Sequence, residues 1–228
     1  MKKVFIILAA SLILGICIII AAKQLSPNRS SVAVRGLCER EVPADLAIYP
    51  VVFKETGDNL VQLYNTVDQK NKTIVAFLKK NGFEEKEITV AVPKISDNYA
   101  QGYNNGARSR YIITSVITVY TSKVQQVLNM QSQQGELVEQ GIAVGAGDEW
   151  QYPVTFAFEG LNNIKPEMIE EANKNAREAA EQFAKDCDSR VGKILNATQG
   201  LFTIEDRDAN TPHIKKVRVV TNVTYSLK

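Results

Sequence analysis

Histidine is almost missing from this sequence: His213 is the single one in 228 residues. That scarcity excludes a metal site built from several imidazoles. A Ser-His-Asp or Cys-His arrangement would have to use His213 itself. His213 heads the strand-like run TPHIKKVRVV and reads as an ordinary strand-edge residue. Phosphate-cradling motifs are lacking too. Gly141–Gly147, GIAVGAG, is glycine-rich, yet it fits neither the dinucleotide fingerprint nor a P-loop, since no Lys-Ser/Thr follows. An excess of one charge is also absent, with 27 basic against 25 acidic residues. Lys2, Lys3 and Lys23 flank an N-terminal apolar run, so the remainder is nearly neutral and no bulk field draws it to nucleic acid. The inventory names no acid/base pair and no nucleophile. The expectation is a protein that is not an enzyme, with no cofactor and no metal.

What is present begins at the N-terminus. Lys2 and Lys3 precede an uncharged stretch from Val4 to Ala22. As a helix it is ~28 Å long, close to the hydrocarbon thickness of a bilayer. Cys17 closes a lipobox-like Leu14-Gly15-Ile16-Cys17, but Ile16 stands where a small residue is needed. The length favours an uncleaved transmembrane anchor over a cleaved signal, whose apolar region is ordinarily ~7–15 residues. The basic pair keeps the N-terminus in the cytoplasm. The expected location is therefore the inner membrane, single-pass, with the body in the periplasm. The alternative, cleavage after Ala22, leaves a soluble periplasmic protein. The organisation reads as residues 1–25 anchor or signal, 26–31 a polar linker, and 32–228 one folded domain.

Within the body, Val32–Leu37 and Leu46–Phe53 read as strands, Pro50 marking an edge or a bulge. Asp58–Asn81 carries Leu60, Leu63, Tyr64, Val67, Asn71, Ile74 and Leu78 on one helical stripe, and Gly82-Phe83 predicts a left-handed cap. Ile88–Val92 and Tyr111–Tyr120 are strands around the loop Ser96–Ser109, rich in polar residues, with tyrosines at Tyr99 to Tyr111. Lys123–Glu139 is a weaker helix, and Val154, Phe156 and Phe158 share one side of a strand. Pro166 is expected in the first turn of a long helix that ends in glycine, at Gly192. Leu201–Ile204 and His213–Leu227 form a last hairpin. Antiparallel strands with long helices laid on them make an α+β fold, preceded by one transmembrane helix.

The long helix carries alanines where leucines are usual. Ile169, Ala172, Ala176, Ala179, Ala180, Phe183, Ala184, Cys187 and Val191 make a stripe that predicts close packing, with Phe183 as its one large side chain and Asn175 on the exposed side. Cys187 lies between Asp186 and Asp188 near the helix end, where the thiolate is disfavoured. It is either a buried thiol or the partner of Cys38 in a disulfide, which an exported location permits. Glu205, Asp206 and Asp208 in IEDRDAN read as a polar turn, lacking the glycine and distal glutamate of a calcium loop. Lys215, Lys216 and Arg218 read as a basic cluster mostly on a solvated face.

Taken in order, VAVRG (Val32–Gly36), PADLA (Pro43–Ala47), the alanine helix with DCDSRVGKI, and the closing IKKVRVVTNVTYSLK resemble the SIMPL-domain family of mostly exported bacterial proteins. The likeness covers nearly all of the chain after Ser31. It implies an α+β architecture of antiparallel sheets and long helices, a tendency to form homo-oligomers, and a place in envelope or stress physiology. It supplies no catalytic residues. The functional expectation is a membrane-anchored, envelope-facing protein that self-assembles into a homo-oligomer larger than a dimer, its bilayer contact made by Val4 to Ala22. The alternative is a ligand- or peptide-binding module. Tyr111–Tyr120 and His213–Leu227 are long and apolar, so Val217, Val219, Val223 and Tyr225 are taken as the candidate oligomer edge.

Overall fold

A computed structural model of the chain describes residues 30–100, 109–145 and 150–228, together with Gly15. The span Val4–Ala22, Gly15 apart, lies outside the described residues. Among those described, no helix is long and apolar enough to cross a membrane.

β1 (Ser31–Pro43) and β2 (Leu46–Gly57) open the body. Helix α1 (Leu60–Lys80) starts beneath Asn59, whose side chain accepts the Gln62 N–H at 3.1 Å. It ends as the glycine predicts. Gly82 sits at φ 87°, its N–H reaches the Lys79 carbonyl, and the Phe83 N–H reaches the Leu78 carbonyl at 3.2 Å, which is a Schellman turn. Next come β3 (Ile88–Val90), β4 (Lys94–Asp97) and β5 (Tyr111–Thr121). The helix expected over Lys123–Glu139 is instead two short ones, α2 (Val124–Gln131) and α3 (Gly135–Glu139). Polar Ser132-Gln133-Gln134 followed by Gly135 breaks the apolar spacing and weakens continuous helix. β6 (Thr155–Ala157), α4 (Leu161–Asp186), β7 (Val191–Gln199), β8 (Thr203–Asp206) and β9 (Ile214–Leu227) complete the chain.

Both ends of α4 differ from expectation. Pro166 is inside the helix, which begins at Leu161. The Asp45 carboxylate of PADLA supplies the start, accepting the Glu159 and Gly160 N–H groups at 2.8 Å each. A carboxylate placed there satisfies orphan donors and complements the helix dipole. At the other end the chain leaves the helix at Asp188 (φ 51°), well before Gly192. The Ser189 N–H bonds to the Ala184 carbonyl and the Asp188 N–H to that of Lys185. Aspartate tolerates the left-handed region better than most residues, so it replaces glycine in this second Schellman turn.

The strands form two antiparallel sheets, which with the helices make the fold α+β. One has the order β1-β9-β7, with β8 also on β9; the other runs β3-β5-β2-β6, with β4 also on β5. This corrects the oligomer edge. β9 is hydrogen-bonded on both sides, and Val217, Val219, Val223 and Tyr225 are at most 4% exposed. β5 is flanked by β2 and by β3 and β4 in the same way. A full apolar face with a clean period of two reports that one face of the strand is buried, and it does not report whether the strand is central or a rim.

The described chain divides into two compact units. The first holds the chain up to Cys38, Ile169–Leu201 and Val219–Lys228. In it Ala172, Ala176, Ala180 and Ala184 are at most 1% exposed. Their function shows at Gly36 in β1, where an added Cβ would lie 1.8 Å from the Ala172 carbonyl oxygen and 2.6 Å from the Ala176 nitrogen. Helix backbone rests on strand backbone, which only glycine beneath alanine permits. Asn175 is half-buried and donates to the Leu37 carbonyl at 2.8 Å, so it belongs to this contact and not to the exposed side. Phe183 is 49% exposed. The buried stripe is a strict i, i+4 row, narrower than expected, and Phe183 falls on its flank.

The second unit holds Glu39–Met168 and Phe202–Arg218. Leu63, Val67, Ile74 and Leu78 of α1 are buried in one cluster with Tyr49 and Phe53 of β2 and Ile113, Ile117 and Val119 of β5. The polar residue on the α1 stripe, Asn71, is satisfied inside this core by the Ser115 hydroxyl at 2.8 Å. Pro50 costs β2 no ladder bond. The Val52 carbonyl accepts the Gly145 N–H at 3.1 Å, so by alternation the backbone of Pro50 also faces away from β5.

Candidate functional site

Several polar groups singled out in the sequence have a structural occupation. The His213 ring meets Phe156 edge-on at 6.0 Å, and its carbonyl accepts the Ala44 N–H at 2.8 Å. Asp208 closes a turn, accepting the Asn210 and Thr211 N–H groups at 2.8 and 2.9 Å. The Thr211 hydroxyl and Arg207 hold its carboxyl at about 2. Asp206 pairs with Lys215. Among the described residues no three His, Cys, Asp or Glu side chains are grouped to hold a metal ion. The basic cluster splits: Lys215 is buried on the covered face with Val217, whereas Lys216 and Arg218 reach Glu39 at 3.0 and 3.6 Å.

Cys38 is buried in β1, and Cys187 is exposed just beyond α4. No disulfide joins them. Gly36 faces Ala172 and Ala176, and the helix rises a further ~16 Å before Cys187, far outside the Cα separation a disulfide tolerates.

The base of the tyrosine loop is fastened. The Arg110 guanidinium lies 5.8 Å from the Tyr99 ring and 4.9 Å from that of Tyr111, and it pairs with Asp97 at 3.0 Å. That bond with Arg110 lowers the Asp97 pKa. Residues 101–108 of the loop lie outside the described residues. In the glycine-rich segment, Gly141 and Gly145 take φ of 75° and 77°, and the Gly141 carbonyl accepts the Lys70 ammonium at 2.7 Å, the same ammonium that pairs with Glu55. It is a turn, as its composition suggests; residues 146–147 lie outside the described ones.

Two features were not read from the sequence. Glu87 stands in the short turn before β3. Its carboxylate accepts the Glu84 N–H at 2.7 Å, the Thr121 hydroxyl at 2.6 Å and the Lys123 ammonium at 2.9 Å. Burial raises its pKa, but those three partners outweigh burial and bring it to about 2. Since the folded value lies below the ordinary 4.5, the contribution is complete above that value and fades as pH falls toward about 2. Glu87→Gln is expected to lose ~1–3 kcal/mol near neutral pH. The loss should shrink steadily on acidification, as urea melts across the acid range would show. A deficit independent of pH would contradict this origin.

The second feature is the rim of the first sheet. From Lys193 to Gln199 every residue of β7 is exposed, with Ile194 at 59% and Leu195 at 44%. Lys193 is its one charge and it holds no proline. Natural edges are ordinarily blunted by such residues. Here irregular register blunts the first half, between Val191 and Asn196, while Asn196–Gln199 pairs regularly with β9. Elsewhere, a hollow of about 300 Å³ beside β2 has a lining that is uncharged among the described residues, Tyr49, Pro50, Val52, Gln134 and Tyr152 among them. The Tyr49 hydroxyl accepts from Gln134, and burial raises its pKa despite that bond.

The model of the SIMPL family, described as a protein of unknown function, matches residues 32–225. No curated protein matches the chain.

Proposed function

The chain belongs to the SIMPL family, and from that premise we propose a membrane-anchored, envelope-facing, non-enzymatic protein that self-assembles into a homo-oligomer with a structural or stress-related role. The observation that carries this reading is the bare outer edge of β7, a row of backbone donors and acceptors beside exposed Ile194 and Leu195. The uncharged stretch Val4–Ala22 supports the anchor. The polar side chains described above are engaged in caps, turns and ion pairs, which supports an interaction role over catalysis. Native mass measurement of the intact protein at micromolar concentration in mild detergent is expected to give more than two chains per particle. A monomer under those conditions overturns the reading.

The hollow beside β2 favours a second reading, capture of a small uncharged ligand. Its volume is at the lower limit for such sites, and among the described residues its lining of tyrosine, proline, valine and glutamine carries no charge.

A further inference from the structure

We propose that β7 pairs with β7 of a second copy of the chain, antiparallel, about a two-fold axis through Thr198. The inference rests on the self-assembly reading and specifies its surface. The Gly200 N–H bonds to the Val220 carbonyl at 2.7 Å, so the backbone of Gly200 faces β9. Thr198 and Asn196, opposite Asn222 and Thr224, face β9 by the same alternation. The N–H and C=O groups of Ala197 and Gln199 therefore point outward from the sheet, and no described backbone group pairs with them. They are spaced as a second strand requires.

The axis at Thr198 uses that spacing fully. Ala197 of each copy exchanges both bonds with Gln199 of the other, giving a symmetric ladder in the regular half of the strand and leaving the irregular half outside. Thr198 meets its own twin as a non-hydrogen-bonded pair, a favourable threonine–threonine contact. Asn196 faces Gly200 at each end of this ladder. The lone charge of β7, Lys193, lies in the irregular half, so no like charges meet within the ladder. Two-fold closure makes the interface self-complementary, which is the commonest symmetry of soluble homo-oligomers.

A ladder this short buries less than the ~1,600 Å² of a standard interface. It needs the chains to be held close, and tethering them to one membrane provides a high effective concentration. The seam closes a pair of chains; a larger assembly needs a second surface, so the two ideas can fail separately.

The test uses the full-length chain in mild detergent with Cys187→Ser as background. In a non-hydrogen-bonded antiparallel pair the Cα atoms are about 4.5 Å apart, within disulfide range. Thr198→Cys is expected to give at least ~10-fold more oxidised dimer than the background or than Arg177→Cys on the exposed side of α4. Thr198→Asp places two carboxylates across the axis and is expected to lower the native mass while leaving the melting temperature close to that of the parent, because Thr198 is exposed. Dimer yield no higher than the Arg177→Cys control, or an unchanged mass for Thr198→Asp, overturns the seam while a persisting oligomer leaves the broader reading in place. A monomeric parent chain overturns both.

Discussion

Replacing Gly36 by alanine is expected to cost more than ~3 kcal/mol, although it adds a single methyl group. The methyl would stand 1.8 Å from the Ala172 carbonyl oxygen and 2.6 Å from the Ala176 nitrogen. Both are backbone atoms, so no rotamer change gives room. Either α4 lifts off β1 or the strand bends. Lifting the helix loosens the packing of Ala176 and Ala180 against Val32, Val223 and Tyr225 along its length. Ala176→Leu or Ala180→Leu should act the same way from the helix side, each at ~1–3 kcal/mol. Gly135→Ala is the control, since nothing lies within 4 Å of the Cβ it would add. Urea melts of Gly36→Ala and Gly135→Ala that coincide would mean α4 does not lie on β1 as described.

The second large effect belongs to the proposed anchor. Lysine at both Ile13 and Ile18 puts two charges near the centre of the span, at ~2.5–3.5 kcal/mol each on insertion scales. The doubly substituted protein is expected to leave the membrane fraction, while the parent stays in it at high salt. N-terminal sequencing of the parent tests the premise directly. A parent recovered wholly soluble and beginning at Lys23 would establish cleavage and remove the anchor from the mechanism.

Should both the anchor and the β7 seam hold, they explain one another. A short ladder is weak between freely diffusing chains and strong between chains fastened to one surface. Breaking the anchor should then weaken the Thr198 crosslink without touching the strand.

Much of the body was legible because local chemistry and tertiary packing agree there. Leu63, Val67, Asn71, Ile74 and Leu78 of the α1 stripe, the Gly82 cap, the alternation of β9 and the alanine row of α4 follow from period and cap residues, and burial reinforces them, whereas Leu60 and Tyr64 of the same expected stripe are exposed in the first turns of α1. The α+β class follows from the order of those elements. β7 was not legible: Lys193–Gln199 is exposed on both sides, so no alternation of apolar and polar residues marks it as a strand. The end of α4 at Asp188 was missed because Gly192 is the stronger stop signal, while the chain had already turned to enter β7.

The sequence by itself determined where the buried stripes run, though not how wide they are, because apolar periodicity is a local property that any fold must satisfy. It also determined that no multi-histidine chemistry is available. Only the tertiary structure decided which strands are rims. Edge or centre depends on partners distant in the chain, and a hydrogen-bond ladder leaves no trace in side-chain pattern. That is why β9 is the middle of its sheet and β7, of mixed composition, an exposed border. Gly36 shows the same division: a glycine in a strand is visible in any sequence, but that it admits a helix backbone is decided by α4, more than a hundred residues further along.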